Sequence, residues 1–163
     1  GRFTVMKKII VLALVLTFVL TLAACGNNAK PTQLGTSDFS IVLPKGYALA
    51  EDDFDEDQVA YFYKDDNSID FDVYQWVKDG QFTLESEADY YAAEYDSVAE
   101  AVTVSGFNGM KYTSKETFDG NLYTVVNYMF EDDTNIVELC FWTNGSKEEY
   151  AAIDAILSTL KQN

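Results

Sequence analysis

The chain is expected to be α+β, a mostly antiparallel sheet with helices on both faces forming a three-layer α/β/α sandwich. Three observations predict it: period-two alternation over most of the sequence, two stretches with a helical apolar stripe, and two consecutive strands that are apolar on both sides. An antiparallel strand with two greasy faces needs a cover on each, and one helix is available for each face.

Taken in order, FSIVL (39–43) predicts a short first strand stopped by Pro44 and Gly46. VAYFYK (59–64) and IDFDVYQW (69–76) predict a hairpin across residues 65–68. Thr83 has the character of a helix N-cap, and Leu84, Ala88, Tyr91, Ala92 and Tyr95 follow at one-face spacing. AVTVS (101–105), MKYTSKETF (110–118), the turn Asp119-Gly120 and LYTVVNYMF (122–130) continue the sheet, and IVELCFW (136–142) closes it. In 122–130 Leu122, Val126, Tyr128 and Phe130 oppose Tyr123, Val125 and Met129. In 136–142 Val137, Leu139 and Phe141 oppose Ile136, Cys140 and Trp142. Ser146 and Glu149 have capping-box spacing at the start of a last helix, whose buried stripe is Tyr150, Ile153, Ile156, Leu157 and Leu160.

Before the domain comes a leader pattern. Lys7 and Lys8 precede an apolar run, Ile9 to Leu22, that is too short to span a hydrocarbon core of about 30 Å as a helix. Residues 1–24 therefore predict a cleaved signal peptide, with Met6 as the native start and residues 1–5 foreign to it. Leu22-Ala23-Ala24-Cys25 resembles the lipobox of bacterial lipoproteins, which implies lipid attachment at Cys25. GNNAKPTQLGTS has linker composition, so residues 25–37 are expected to be a lipidated tether and 38–163 one globular domain.

FSIVLPKGY (39–47), VSGFNGMKY (104–112) and EEYAAIDAILSTLK (148–161) resemble PsbP-like domains, found in small bacterial lipoproteins and photosynthetic accessory proteins. The resemblance spans nearly all of 38–163. It implies a non-enzymatic domain that docks onto protein complexes, with no catalytic set to carry over.

Charge narrows the partners. Removing residues 1–24 takes away Arg2, Lys7 and Lys8 and no acid, leaving eight basic against 27 acidic residues, so the formal charge moves from −16 to −19. A surface this anionic, with no arginine, does not neutralise phosphates, which excludes nucleic acid as a partner. It is also repelled by anionic headgroups, so the lipid must do the anchoring. The expected location is the extracytoplasmic face of the cell membrane, as a monomer with a protein partner in the envelope.

The chain has no histidine, which removes Ser-His and Cys-His nucleophile systems and His-ligated zinc. Cys140 lies within a strand and has no basic sequence neighbour, as a core cysteine does. No cofactor is expected. EDDFDEDQ (51–58) offers Asp53, Asp55 and Asp57 as calcium ligands, but it lacks the glycine and the closing glutamate of an EF-hand loop, so a solvated acidic loop is the stronger reading. On the strand 69–76, alternation places Asp70, Asp72, Tyr74 and Trp76 on the face opposite Ile69, Phe71 and Val73. Acids and flat rings on one face suit a sugar, a cation or a basic segment if the covering helix stops short, and a core face if it does not. The functional expectation is a membrane-anchored, non-enzymatic protein-binding or adaptor module of the envelope. The alternative is a ligand-binding lipoprotein for glycan, peptide or cation, and a carboxylate-dependent hydrolase is the weakest of the three.

Overall fold

The computed structural model describes residues 30–50, 54–65 and 69–163. The lipid-attachment candidate Cys25, the leader and Asp53 lie outside the described residues.

The strands are β1 (Thr32–Gln33), β2 (Phe39–Ile41), β3 (Ala48–Leu49), β4 (Gln58–Tyr63), β5 (Phe71–Val77), β6 (Glu100–Val104), β7 (Phe107–Phe118), β8 (Asn121–Glu131), β9 (Asn135–Thr143) and β10 (Lys161–Gln162). Helix α1 (Leu84–Glu94) follows β5, and α2 (Lys147–Leu157) follows β9. Seven strands form one sheet in the order β3-β4-β5-β9-β8-β7-β6, every neighbour antiparallel. β1, β2 and β10 form a small second sheet.

Turn chemistry sets the long β7–β8 hairpin. Asp119 and Gly120 both take left-handed backbone, φ 48° and 76°, as a two-residue turn matched to strand twist requires, and Phe118 then faces Asn121. Near the other end of β7, a Cβ on Gly109 would sit 2.7 Å from the Met129 carbonyl oxygen and 2.6 Å from the Phe130 ring, so only glycine fits there.

The register separates two faces. One carries Phe62, Phe71, Val73, Val126, Tyr128, Phe130, Val137, Leu139 and Phe141, and it is sealed by Ile153, Ile156 and Leu157 of α2. The helix begins as its sequence prescribes. The Ser146 hydroxyl accepts from Glu149 N, and the Glu149 carboxylate accepts from Ser146 N. Leu160, just past the helix, is buried with this stripe, whereas Tyr150 is 40% exposed.

Two expectations need correction. The predicted tether does not run to residue 37. Thr32 and Gln33 pair with Ile41 and Ser40, Leu34 is completely buried, and the Ser37 hydroxyl donates to the Leu34 carbonyl. Gln75 clamps the hairpin by accepting from Thr36 N and donating to Thr36 Oγ1. The strand 39–43 stops at Ile41 and joins this small sheet, where Phe39 meets Phe107 and Phe130. The second correction concerns the sandwich, because the other face of the large sheet is only partly covered. Ala88 and Ala92 of α1 pack on Met110, Tyr112, Met129 and Ile136, with Trp76 and Tyr91 at the margin. An 11-residue helix is about 16 Å long, whereas the 12 residues of β7 extend roughly 40 Å. One helix of that length leaves much of the face open.

Candidate binding cleft on the half-covered face

The open floor is a lattice fixed by strand register. Across the sheet, Tyr74 of β5 stands opposite Glu138 of β9, and Glu138 opposite Met129 of β8. The next row is Asp72, Cys140, Asn127 and Tyr112, and beyond it Trp142, Val125 and Ser114 line up. α1 roofs the part of the face that carries Met110, Tyr112, Met129 and Ile136. The result is a cavity of about 340 Å³ lined by Glu56, Asp57, Asp72, Glu94, Glu116 and Glu138 together with the rings of Tyr74, Trp76, Tyr91, Tyr95, Tyr112 and Trp142. A second hollow of about 410 Å³, walled by Tyr61, Asp70, Phe118 and Tyr123, shares Asp72 and Trp142 with the first.

Each side chain singled out on the stretch 69–76 has a distinct place here. Asp70 accepts from the Tyr61 hydroxyl at 2.7 Å in the second hollow. Asp72 sits at the junction, accepting from Gln58 Nε2 and from Trp142 Nε1, both at 2.8 Å. Burial raises its carboxyl above the usual range, the Trp142 bond opposes that, and the charges of Asp70 and Asp55 add to it. Tyr74 is half-buried, and desolvation followed by the Asp72 charge keeps its phenol protonated well above the ordinary value. Trp76 lies under the edge of α1, its ring 5.5 Å from that of Tyr91. Its Nε1 is buried with no acceptor among the described residues.

The sequence reading passed over Glu138. It is 6% exposed, one carboxyl oxygen accepts from the Tyr112 hydroxyl, and no other hydrogen bond reaches that carboxyl among the described residues. Burial pushes it up to about 7, against the pull of the Tyr112 bond. A signal was present, an acid in the middle of IVELCFW, but a strand that reads as apolar on both sides hides a single polar position.

Cys140 is a buried free thiol on the floor of the cleft rather than in the α2-covered core. Burial first, then the charges of Glu138, Asp72 and Glu116, push it well above its ordinary value, the opposite of what a reactive thiolate needs. Of the three calcium candidates, Asp53 lies outside the described residues. Asp55 and Asp57 are exposed, Asp57 at φ 65°, and among the described residues no group of three acidic or thiol side chains is placed to hold a metal ion.

No protein-family model and no curated protein matches the sequence. Solved structures do match its fold. A solution structure of cyanobacterial PsbP (CyanoP) from Synechocystis aligns with TM-score 0.60 at 11% identity, covering 83% of this chain and 92% of that one. A crystal structure of LpqN, involved in cell envelope biogenesis of Mycobacterium tuberculosis, aligns with TM-score 0.57 at 12% identity, covering 82% and 90%. A protein from Bacteroides thetaiotaomicron aligns with TM-score 0.57 at 19% identity over 80% of this chain, which spans only 49% of that protein's length. The chain therefore has a PsbP-like fold, as its resemblance implied.

Proposed function

We propose that the chain is a membrane-anchored, non-enzymatic binding module of the cell envelope, and that its binding surface is the cleft beside α1. The observation that carries this reading is the mismatch between the short helix and the long strands. It leaves Asp72, Tyr74, Glu138 and Trp142 facing an open hollow, where acids and rings converge with no lysine in the lining. A concavity of this size, with aromatic rings around convergent polar groups, is a form that recognition sites take. The leader and the Cys25 motif support the anchor, and the fold shared with an envelope protein supports the compartment. The high thiol of Cys140 and the absence of histidine give no activated nucleophile of the Cys-His or Ser-His kind.

The test is charge reversal at the rim. Glu94 is exposed and Glu116 half-exposed, so Glu94→Lys with Glu116→Lys should leave the thermal midpoint nearly unchanged, as surface substitutions do. The same pair should abolish crosslinking of the membrane-held protein to its envelope partner. Undiminished crosslinking in the folded double variant would place the partner elsewhere.

A further inference from the structure

The ligand class of this cleft follows from what its polar groups lack, on the premise that the cleft is the binding face. Six carboxylates line it, and the two ion pairs among the described residues, Lys78 with Glu131 and Lys111 with Glu100, lie outside the lining. Glu138 is buried with a single hydrogen bond, and Trp76 Nε1 is a buried donor with no acceptor among the described residues. Buried polar groups are normally paired, so the Trp76 donor without an acceptor shows that the chain's own groups do not satisfy this wall of the cavity. The register makes Asp72 and Glu138 diagonal neighbours on β5 and β9, roughly 7 Å apart, a gap that one cation can bridge.

We infer that the cleft receives the side chain of a lysine or arginine from an extended segment of a partner polypeptide. The cation lies between Glu138 and Asp72, and the alkyl stem runs over Tyr74 and Trp142. Rings beside carboxylates favour a cation on an apolar stem over a bare ion. A divalent metal has no converging triad here among the described residues. A small free amine would leave the second hollow empty, whereas a peptide spans both hollows through the wall they share at Asp72 and Trp142.

The chain supplies its own probe, since its only two tryptophans, Trp76 and Trp142, both line the cleft. The full chain is titrated at low salt and pH 8, above the point where Glu138 has lost its proton, with a blocked peptide of alternating lysine and serine while tryptophan emission is followed. The same titration is run with the acetyl-lysine peptide, with spermidine and with calcium chloride. The expected result is a saturating spectral change with the lysine peptide, weakened about tenfold or more by acetylation and by Glu138→Gln with Asp72→Asn. Asp89→Asn with Asp154→Asn, two exposed acids outside the cleft, should leave it unchanged. The rim pair Glu94→Gln with Glu116→Gln serves should the floor variant fail to fold, and should weaken binding in the same direction. Equal binding of the acetylated peptide overturns the inference, as does an equal loss in the control pair, or a response to spermidine or calcium but not to the peptide. A photo-crosslinker at Glu94 that captures an envelope protein through a segment without lysine or arginine overturns this inference while sparing the cleft as the binding face. Failure of both capture and peptide binding removes both.

Discussion

At Glu138 the folded chain keeps a proton that the unfolded chain gives up. The native carboxyl titrates at about 7, whereas an exposed one titrates at 4.5. Between those values the native state binds more protons than the unfolded state, so this group makes stability fall as pH rises through the window, with the cost complete above about 7. At roughly 1.4 kcal/mol per pH unit the ceiling is about 3–4 kcal/mol. Glu138→Gln, which keeps an acceptor for Tyr112, should therefore be more stable than the parent at pH 8 and nearly equal to it at pH 4.5, read by denaturant unfolding. A difference that does not vary with pH would mean that the carboxyl is hydrated in solution. Cys140 sits beside it, and its raised thiol and burial predict slow native labelling by an aromatic disulfide reagent, with full reaction only on unfolding. Fast native labelling would show that the cleft floor is open to bulk reagents. The β5 acids and rings were legible in sequence because alternation separates them cleanly from Phe71 and Val73. Glu138 was not, because its importance depends on Tyr112 across two strand boundaries, a contact that no local pattern encodes.

At the scale of elements, local rules reached as far as local chemistry does. The caps at Thr83 and Ser146 formed as their spacing predicts, although the α1 box closes through Ser86. The Asp119-Gly120 turn formed for the same reason, being set by residues adjacent in sequence. The N-terminal hairpin failed the same reading because Leu34 is one apolar residue in a polar run, and what holds it is remote. Asp132 accepts from Asp38 N at 2.8 Å, and Val42 N donates to the Thr159 hydroxyl at 2.8 Å. Leu34→Ala should consequently cost about 2–4 kcal/mol of global stability, as truncation of a fully buried leucine does. A change below about 0.5 kcal/mol, typical of a surface linker, would return residues 32–37 to the tether. The reach of α1 was equally beyond local reading. Two doubly apolar strands foretold a cover on both faces, but the length of that cover depends on where the helix stops, and it stops at Glu94.

For the whole molecule, the proposed arrangement that joins the leader, the acidic balance and the cleft is an anionic domain held at a membrane by lipid with a cation-seeking face turned to partners. Cys25→Ser should leave the domain folded, since its described core begins at Leu34, and should move the protein from the membrane fraction to the soluble one. Persistence in membranes after a high-salt wash would remove the lipid anchor. The overall architecture was legible because period-two alternation and two capped helices survive in a sequence that is 11–19% identical to the three matching structures named above. The binding face was only half legible, because it is defined by what fails to cover it. The most direct measurement is therefore a map of contacts in living cells. A photo-reactive residue is placed in turn at Asp57, Glu94 and Glu116 on the cleft rim, and at Glu148 and Asp154 on α2. The rim positions should each give one discrete adduct that disappears on introducing Glu138→Gln with Asp72→Asn, and the α2 positions should give none. Adducts confined to the α2 positions, or rim adducts indifferent to the floor variant, would contradict the cleft as the binding face.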